Sequence, residues 1–233
     1  MENSIDAKKY LYYILRRIFS GYARWDWLET FKGISEFNFE GNSERQKIFY
    51  YRGGGVTCRK YNEAARKAAE VSQVDLDWLG IYSGRLNARL LKTILGPIAY
   101  PEIITDPTAP LSSRRKIIIG SGWKPGWSTD YVATVMARKH KIKTIINLSN
   151  IDYVYTCDPK KYKSAKPIKE ISWRNFRKII GDKWGPGLHA PFDPVASRLA
   201  QQLGLKVIIM NGKKLDNLKN CFSGRQFKGT VIK

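Results

Sequence analysis

KIIIGSGWKPGWSTDYVATVMARKHKIKTIINLSN, running from Lys116 to Asn150, is the stretch on which the fold turns. Lys116–Ile119 is an apolar run of strand length that stops at Gly120, and Thr144–Leu148 is a second. Between them, Thr129–His140 reads as a helix. A strand, a glycine-rich turn, a helix and another strand make a βαβ crossover, which joins parallel strands. The alternation continues upstream. Ile48–Tyr51 is a strand, Gly53, Gly54 and Gly55 are a turn, and Ala64, Ala65, Ala68 and Val71 recur at helical spacing. A further helix over Trp78–Leu95 carries Leu79, Leu86, Leu90, Leu91 and Ile94 on one broad face. Downstream come helices over Trp173–Ile180 and Pro194–Leu203, a strand over Lys206–Met210, a helix over Leu215–Phe222 and a closing strand over Thr230–Ile232. The pattern predicts an α/β chain built on a mainly parallel sheet.

Gly96–Pro110 and Gly181–Pro194 gather Pro and Gly and read as long surface loops, of the kind that serve as lids or subunit contacts. Residues 1–46 mix aromatic and charged side chains without steady period, as in Tyr22–Trp27 and Phe37–Glu40, and point to no single structure.

With 233 residues the chain is long enough for one large domain or two closely joined lobes. No apolar run approaches the ~20 residues of a membrane span. Arg16 and Arg17 interrupt the apolar patch at Tyr10–Ile14, so no secretory signal is expected and the location expected is cytoplasmic. Cys58, Cys157 and Cys221 form no CxxC pair, and only His140 and His189 could join them, which supports neither a disulfide framework nor a metal site. The 41 Lys and Arg against 20 Asp and Glu suit an anionic ligand, either a phosphorylated metabolite or a nucleic acid. Composition does not separate the two, and the plainer account of Lys160–Lys169 is a solvated face.

Neither GxxxxGK[ST] nor GxGxxG occurs. What occurs instead is two glycine-rich turns, Gly53–Gly55 and Gly120–Asp130, each after a strand and before a helix. Glycine lets backbone approach an anion, and the free N–H groups of a helix start favour phosphate oxygens. A glycine triplet alone is equally a tight βα turn; the pair, with Ser128, Thr129 and Asp130 at the second helix start, favours anion binding. Ser149–Lys160 follows the strand Thr144–Leu148, and ligands gather beyond the carboxyl ends of parallel strands. Asp193 stands at a helix cap position, which needs no chemistry to explain it.

Four blocks in order now resemble a family: GGGVTCRKYNEAA from Gly53, DWLGIYSGRLNARLL from Asp77, GSGWKPGWSTD from Gly120 and SNIDYVYTCDPKK from Ser149. The chain resembles the UMP kinases of the amino acid kinase superfamily, the archaeal type more than the bacterial. Asp193–Leu203 and Gly229–Ile232 resemble the family's end, so the likeness spans residues 47–233. It implies a three-layer α/β/α sandwich with a UMP-side lobe over 47–115 and an ATP-side lobe over 116–233. It also implies in-line transfer of the ATP γ-phosphoryl group to UMP, with Mg²⁺, in a homo-oligomer that is a hexamer built from dimers. The implied partners are UMP and ATP, with no nucleic acid and no membrane.

Carried over position by position, Gly54, Asp77, Trp123, Lys124, Pro125, Gly126, Trp127, Ser128 and Thr129 would bind UMP, the loop cradling its phosphate. Gly55, Arg59, Ser149, Asn150, Tyr155 and Asp158 would bind ATP. Asp130 and Asp193 would stand near the reacting centre. Arg85 and Asn87 would lie near the substrate or a subunit contact. Trp123 and Trp127 replace smaller or more polar family residues, and would narrow the phosphate pocket, stack on uracil or pack inside; Tyr153 stands where the family often has Gly. The family's opening strand and Gly-Gly-Ser turn find no counterpart in residues 1–46, where Gly21 is isolated. A divergent lobe, an inactive relative and a frame error each account for that. The competing functions are a kinase for another small acceptor, a non-catalytic anion-binding protein of the same fold, and a nucleic-acid binder.

Overall fold

A computed structural model describes residues 11–17, 46–181 and 190–233. Strands β1 (Leu11–Arg17), β2 (Gln46–Arg52), β3 (Ala99–Ile104), β4 (Ile117–Ser121), β5 (Thr144–Ser149), β8 (Glu170–Ile171), β9 (Lys206–Asn211) and β10 (Thr230–Ile232) form one sheet. Their order is β3-β4-β2-β1-β5-β9-β10-β8, while β6 (Val154–Tyr155) and β7 (Pro167–Ile168) pair separately. Within the large sheet only β9 and β10 run antiparallel.

Side chains alternate across a strand, so a sheet buried on both faces must be apolar at every position. Here Phe49, Tyr51, Ile118, Ile145, Val207 and Ile209 enter one core, and Ile48, Tyr50, Ile117, Ile119, Ile146, Leu148, Ile208 and Met210 the other. The first core is covered by α3 (Thr129–Lys139), α4 (Trp173–Ile180) and α5 (Pro194–Gln202), the second by α2 (Gln73–Leu95) and α6 (Leu215–Phe222). That is the expected three-layer α/β/α sandwich. Helix α1 (Gly55–Ala68) buries no residue of its own and packs beside α2. Among the described residues no helix is long and apolar enough to cross a membrane.

Three elements differ from expectation. Leu11–Arg17, inside the segment that suggested no structure, is a central strand running parallel to both β2 and β5. A strand thus stands in the segment where the family's opening strand found no counterpart; Gly21 and the rest of residues 18–45 lie outside the described residues. Second, Ala99–Ile104 is an edge strand rather than loop, with a register shift between Ala99 and Ile103 around Pro101. Third, α2 starts at Gln73, before Trp78, because the Ser72 hydroxyl accepts a hydrogen bond from Asp75 N at 3.1 Å and caps it. Of the long loop Gly181–Pro194, residues 182–189, His189 included, lie outside the described residues.

Candidate functional site

The two glycine turns meet. Strands β2 and β4 are adjacent and parallel, so their carboxyl ends, Arg52 and Ser121, stand side by side and deliver Gly53 and Gly122 to the same place. The Ser121 hydroxyl donates to Arg52 O at 3.0 Å and ties the two strand ends together. Burial pushes the Arg52 guanidinium down to about 10, still well above neutrality. A Cβ placed on Gly53 would come within 2.9 Å of Thr129 Oγ1, so the first turn touches the start of α3.

Between the turns lies a cavity of about 200 Å³, lined by Gly53, Gly54, Asp77, Lys124, Pro125, Trp127, Ser128 and Thr129 among others. Two helix N-termini border it. Helix α3 is capped by the Ser128 hydroxyl, which accepts from Tyr131 N at 3.1 Å. Helix α1 begins after Gly54 with no side-chain cap, leaving its first-turn amides to whatever fills the cavity. Both macrodipoles present their positive ends there, which favours an anion.

The second turn is held in shape by its own residues. Gly126 has φ +83°, and its N–H donates to Asp77 Oδ2 at 2.8 Å. Trp127 lies flat on Tyr131, with ring centroids 4.1 Å apart and planes 16° from parallel, and presents an exposed wall to the cavity. Trp123 instead packs against the inner core, and Lys124 Nζ sits over its ring at 4.3 Å. The two tryptophans thus have different surroundings, one lining the cavity and one supporting the loop.

The remaining predicted residues do not line this cavity, although Gly55 and Asp130 directly follow residues that do. Gly55 opens α1 with φ +59°, and Arg59 follows one turn on. Ser149 and Asn150 leave the carboxyl end of β5, where the Ser149 hydroxyl donates to Asn150 Oδ1 at 3.4 Å. Tyr155 sits on β6, and Asp158 accepts from Lys160 N at 2.9 Å in the turn beyond. Asp130 and Asp193 are brought together: both are buried, and Asp193 N donates to Asp130 Oδ2 at 3.0 Å, while Asp193 Oδ1 caps α5 through Ala196 N at 2.7 Å. Carboxylate oxygens in such a pair are the hard donors a Mg²⁺–phosphate complex takes.

Sequence reading missed part of the cavity wall: Cys58, Asn62, Leu76, Gly80, Ile81, Gly84 and Val132. Burial pushes the Cys58 thiol up. Gly80, Ser83 and Gly84 carried a usable signal, since small residues at helical spacing mark a face that another backbone approaches closely. A larger cleft, about 800 Å³, lies elsewhere, between Tyr153, Lys169, Lys214 and Phe227, and shares no residue with the glycine turns. The cavity between the turns is the better candidate because the helix starts and the acidic Asp77 converge there.

Comparison with known proteins agrees with this architecture. The amino acid kinase family profile matches residues 38–211. The uridylate kinase of Hyperthermus butylicus is 35% identical over 203 residues, spanning 86% of this chain and 89% of the relative. That of Methanospirillum hungatei is 33% identical over 193 residues, spanning 82% and 81%. Among solved structures, the uridylate kinase of Archaeoglobus fulgidus superposes with a TM-score of 0.76 at 25% identity, covering 96% of this chain and 100% of that one. A UMP kinase from Ureaplasma parvum shares the fold, with a TM-score of 0.69 at 15% identity over 96% and 98%.

Proposed function

The chain belongs to the amino acid kinase family, and on that premise we propose that it is a uridylate kinase that moves the γ-phosphoryl group of ATP to UMP, giving UDP and ADP. The observation that carries this is the convergence of the α1 and α3 N-termini on one cavity closed by Asp77. In this reading Gly54 and the loop Trp123–Thr129 hold UMP. Its phosphate lies between the Gly53–Gly54 turn and Ser128–Thr129, away from Asp77, whose charge would repel it and which suits ribose hydroxyls instead. Gly55 and Arg59 at the start of α1, with Ser149, Asn150, Tyr155 and Asp158 beyond β5, hold ATP; the acceptor side draws Gly54 and Asp77 from residues 47–115 and the loop Trp123–Thr129 from residues 116–233.

The accepting phosphate is already ionised, so the reaction asks for position and charge neutralisation rather than a base. Asp130 and Asp193 would hold Mg²⁺ with the donor phosphates, and the ion when bound neutralises charge on the transferred group. The helix amides and Lys124 supply the rest of the positive field. The protein acts in the cytoplasm, on small nucleotides rather than on nucleic acid or a membrane.

We also propose a homo-oligomer, a hexamer built from dimers. Its support is the outer ridge of α2, where Trp78, Tyr82, Leu86, Leu90 and Ile94 follow at every fourth residue with exposures of 37–63%. A contiguous apolar ridge of that length on one helix fits a self-complementary contact with a second copy. Sedimentation of Leu86→Glu would give a smaller species than the parent; an unchanged mass refutes the ridge as the contact.

The function itself is tested by ADP release from ATP and Mg²⁺ with a panel of acceptors. UMP supports turnover on this reading. ADP release with another small acceptor but not with UMP would refute it.

A further inference from the structure

Beyond the residues assigned to either substrate, Arg85 and Asn87 stand on α2 and reach both glycine turns. The Arg85 guanidinium donates to Gly122 O from Nε and Nη2, each at 3.3 Å, and from Nη2 to Trp123 O at 3.2 Å. The Asn87 amide donates to Gly53 O and to Gly54 O, each at 3.1 Å. Both side chains are partly buried, and all of these acceptors are backbone carbonyls of the turns. In a trans peptide the N–H points opposite to the C=O, so fixing these carbonyls also fixes the direction of the amides of the same peptides, which is what an anion site needs.

Helix α2 is close enough to do this because its facing residues are small. A Cβ on Gly84 would come within 2.9 Å of Ser121 Oγ and 3.2 Å of Arg52 O, and one on Gly80 within 3.2 Å of Cys58 Sγ. One rigid helix therefore touches both turns, and with Asp77 it grips the second turn at both ends: Arg85 on the carbonyls of Gly122 and Trp123, Asp77 on the amide of Gly126.

We propose that Arg85 and Asn87 are positioning residues for phosphoryl transfer, holding the two glycine turns in fixed register across the acceptor cavity so that the UMP phosphate finds both preorganised. The proposal rests on the uridylate kinase reading for its kinetic consequence, though not for its structural one. Arg85 governs the second turn and Asn87 the first. Neither needs to touch substrate.

The test uses the full chain and the variants Arg85→Ala, Arg85→Lys and Asn87→Ala, with amide hydrogen exchange resolved by segment. In Arg85→Ala, exchange of the segment whose bonded amide is Gly126 speeds by about tenfold while the segment whose bonded amide is Cys58 stays protected; Asn87→Ala does the converse. Arg85→Lys, which keeps one charged donor, falls between parent and Ala. The KM for UMP rises by about tenfold in both Ala variants; the KM for ATP does not move in Arg85→Ala, a split that a merely structural loss would not produce, and in Asn87→Ala it rises less than that for UMP, because Gly55 follows directly on the turn that Asn87 holds. Unchanged exchange at the turns, or a uniform rise across the chain, overturns the proposal, as does an equal rise in both KM values. A parent chain that fails to turn over UMP refutes the uridylate kinase reading, and the exchange pattern then decides the role of the clamp by itself.

Discussion

Replacing Gly54 by alanine tests the closeness of α1 to α2 directly. Gly54 has φ −66° and ψ −29°, ordinary right-handed values, so alanine incurs no backbone strain. The difficulty is space. The new methyl would sit 2.4 Å from Cys58 Cβ, 2.9 Å from Gly80 O and 3.1 Å from Ser83 Cβ. A backbone carbonyl cannot rotate aside, so the helices must part. Overpacking of that kind costs about 1–3 kcal/mol, and alanine is also a poorer helix cap than glycine, adding up to about 1 kcal/mol in the same direction. For a chain of this size the sum, about 1–4 kcal/mol, lowers Tm by roughly 2–16 °C. Because Gly54 lines the acceptor cavity, the KM for UMP rises with it, by about tenfold. Scanning calorimetry gives the first quantity and initial rates at saturating ATP the second. Gly54→Ala combined with Cys58→Gly removes the nearest clash, so its destabilisation is smaller than the sum of the single changes. A Tm within a degree of the parent, or strict additivity in the double variant, would refute the steric argument.

Asp77→Ala removes the acceptor for Gly126 N and raises the KM for UMP by about tenfold, with little change in the KM for ATP, as read from initial rates. Asp130→Asn keeps an oxygen for Asp193 N but loses the charge; turnover falls by about 10²-fold or more while the chain still melts cooperatively, and a variant of parental activity would exclude Asp130 from the reacting centre. Burial pushes the Cys221 thiol up to about 12 from 9.0, so the folded chain holds that proton more tightly than the unfolded one. The stability this contributes is complete below about pH 9 and is lost as pH rises toward 12. Urea midpoints should therefore fall more steeply over that interval for the parent than for Cys221→Ala.

What was legible in the sequence was what repeats. Strands at Ile48–Tyr51, Lys116–Ile119, Thr144–Leu148 and Lys206–Met210 are apolar at consecutive positions because both faces are covered, and such runs stand out. Ala99–Ile104 was illegible for the opposite reason: as an edge strand it tolerates Pro101 and Glu102, which read as loop. The glycine turns were legible as a pair because each follows a strand, yet which side chains face the cavity was not. Trp123 and Trp127 look alike in sequence, but one packs on the core and the other on Tyr131. The grip of Arg85 and Asn87 on the turns was hidden for a different reason. It spans 33 to 38 residues of chain and ends on backbone carbonyls, which leave no mark in sequence.

The opening segment changes most when the sheet is considered. Leu11–Arg17 lacks a clean strand pattern, with two arginines at its end, and local propensity alone gives it no assignment. It is nevertheless paired on both sides, along its whole length with β2 and from Tyr13 to Arg17 with β5: Arg17 lies opposite Arg52 on β2 and opposite Leu148 on β5. Without it, β2 and β5 would each present an open edge in the middle of the sandwich, and the two halves of the sheet would not join. Its carboxyl end therefore lies between the end of β2, which leads into the Gly53–Gly55 turn, and the end of β5, which leads into Ser149 and Asn150. A chain leaving the sheet there starts between the proposed acceptor and donor sites. The question of activity turns on residues 18–45, which follow the end of that strand in the chain and lie outside the described residues.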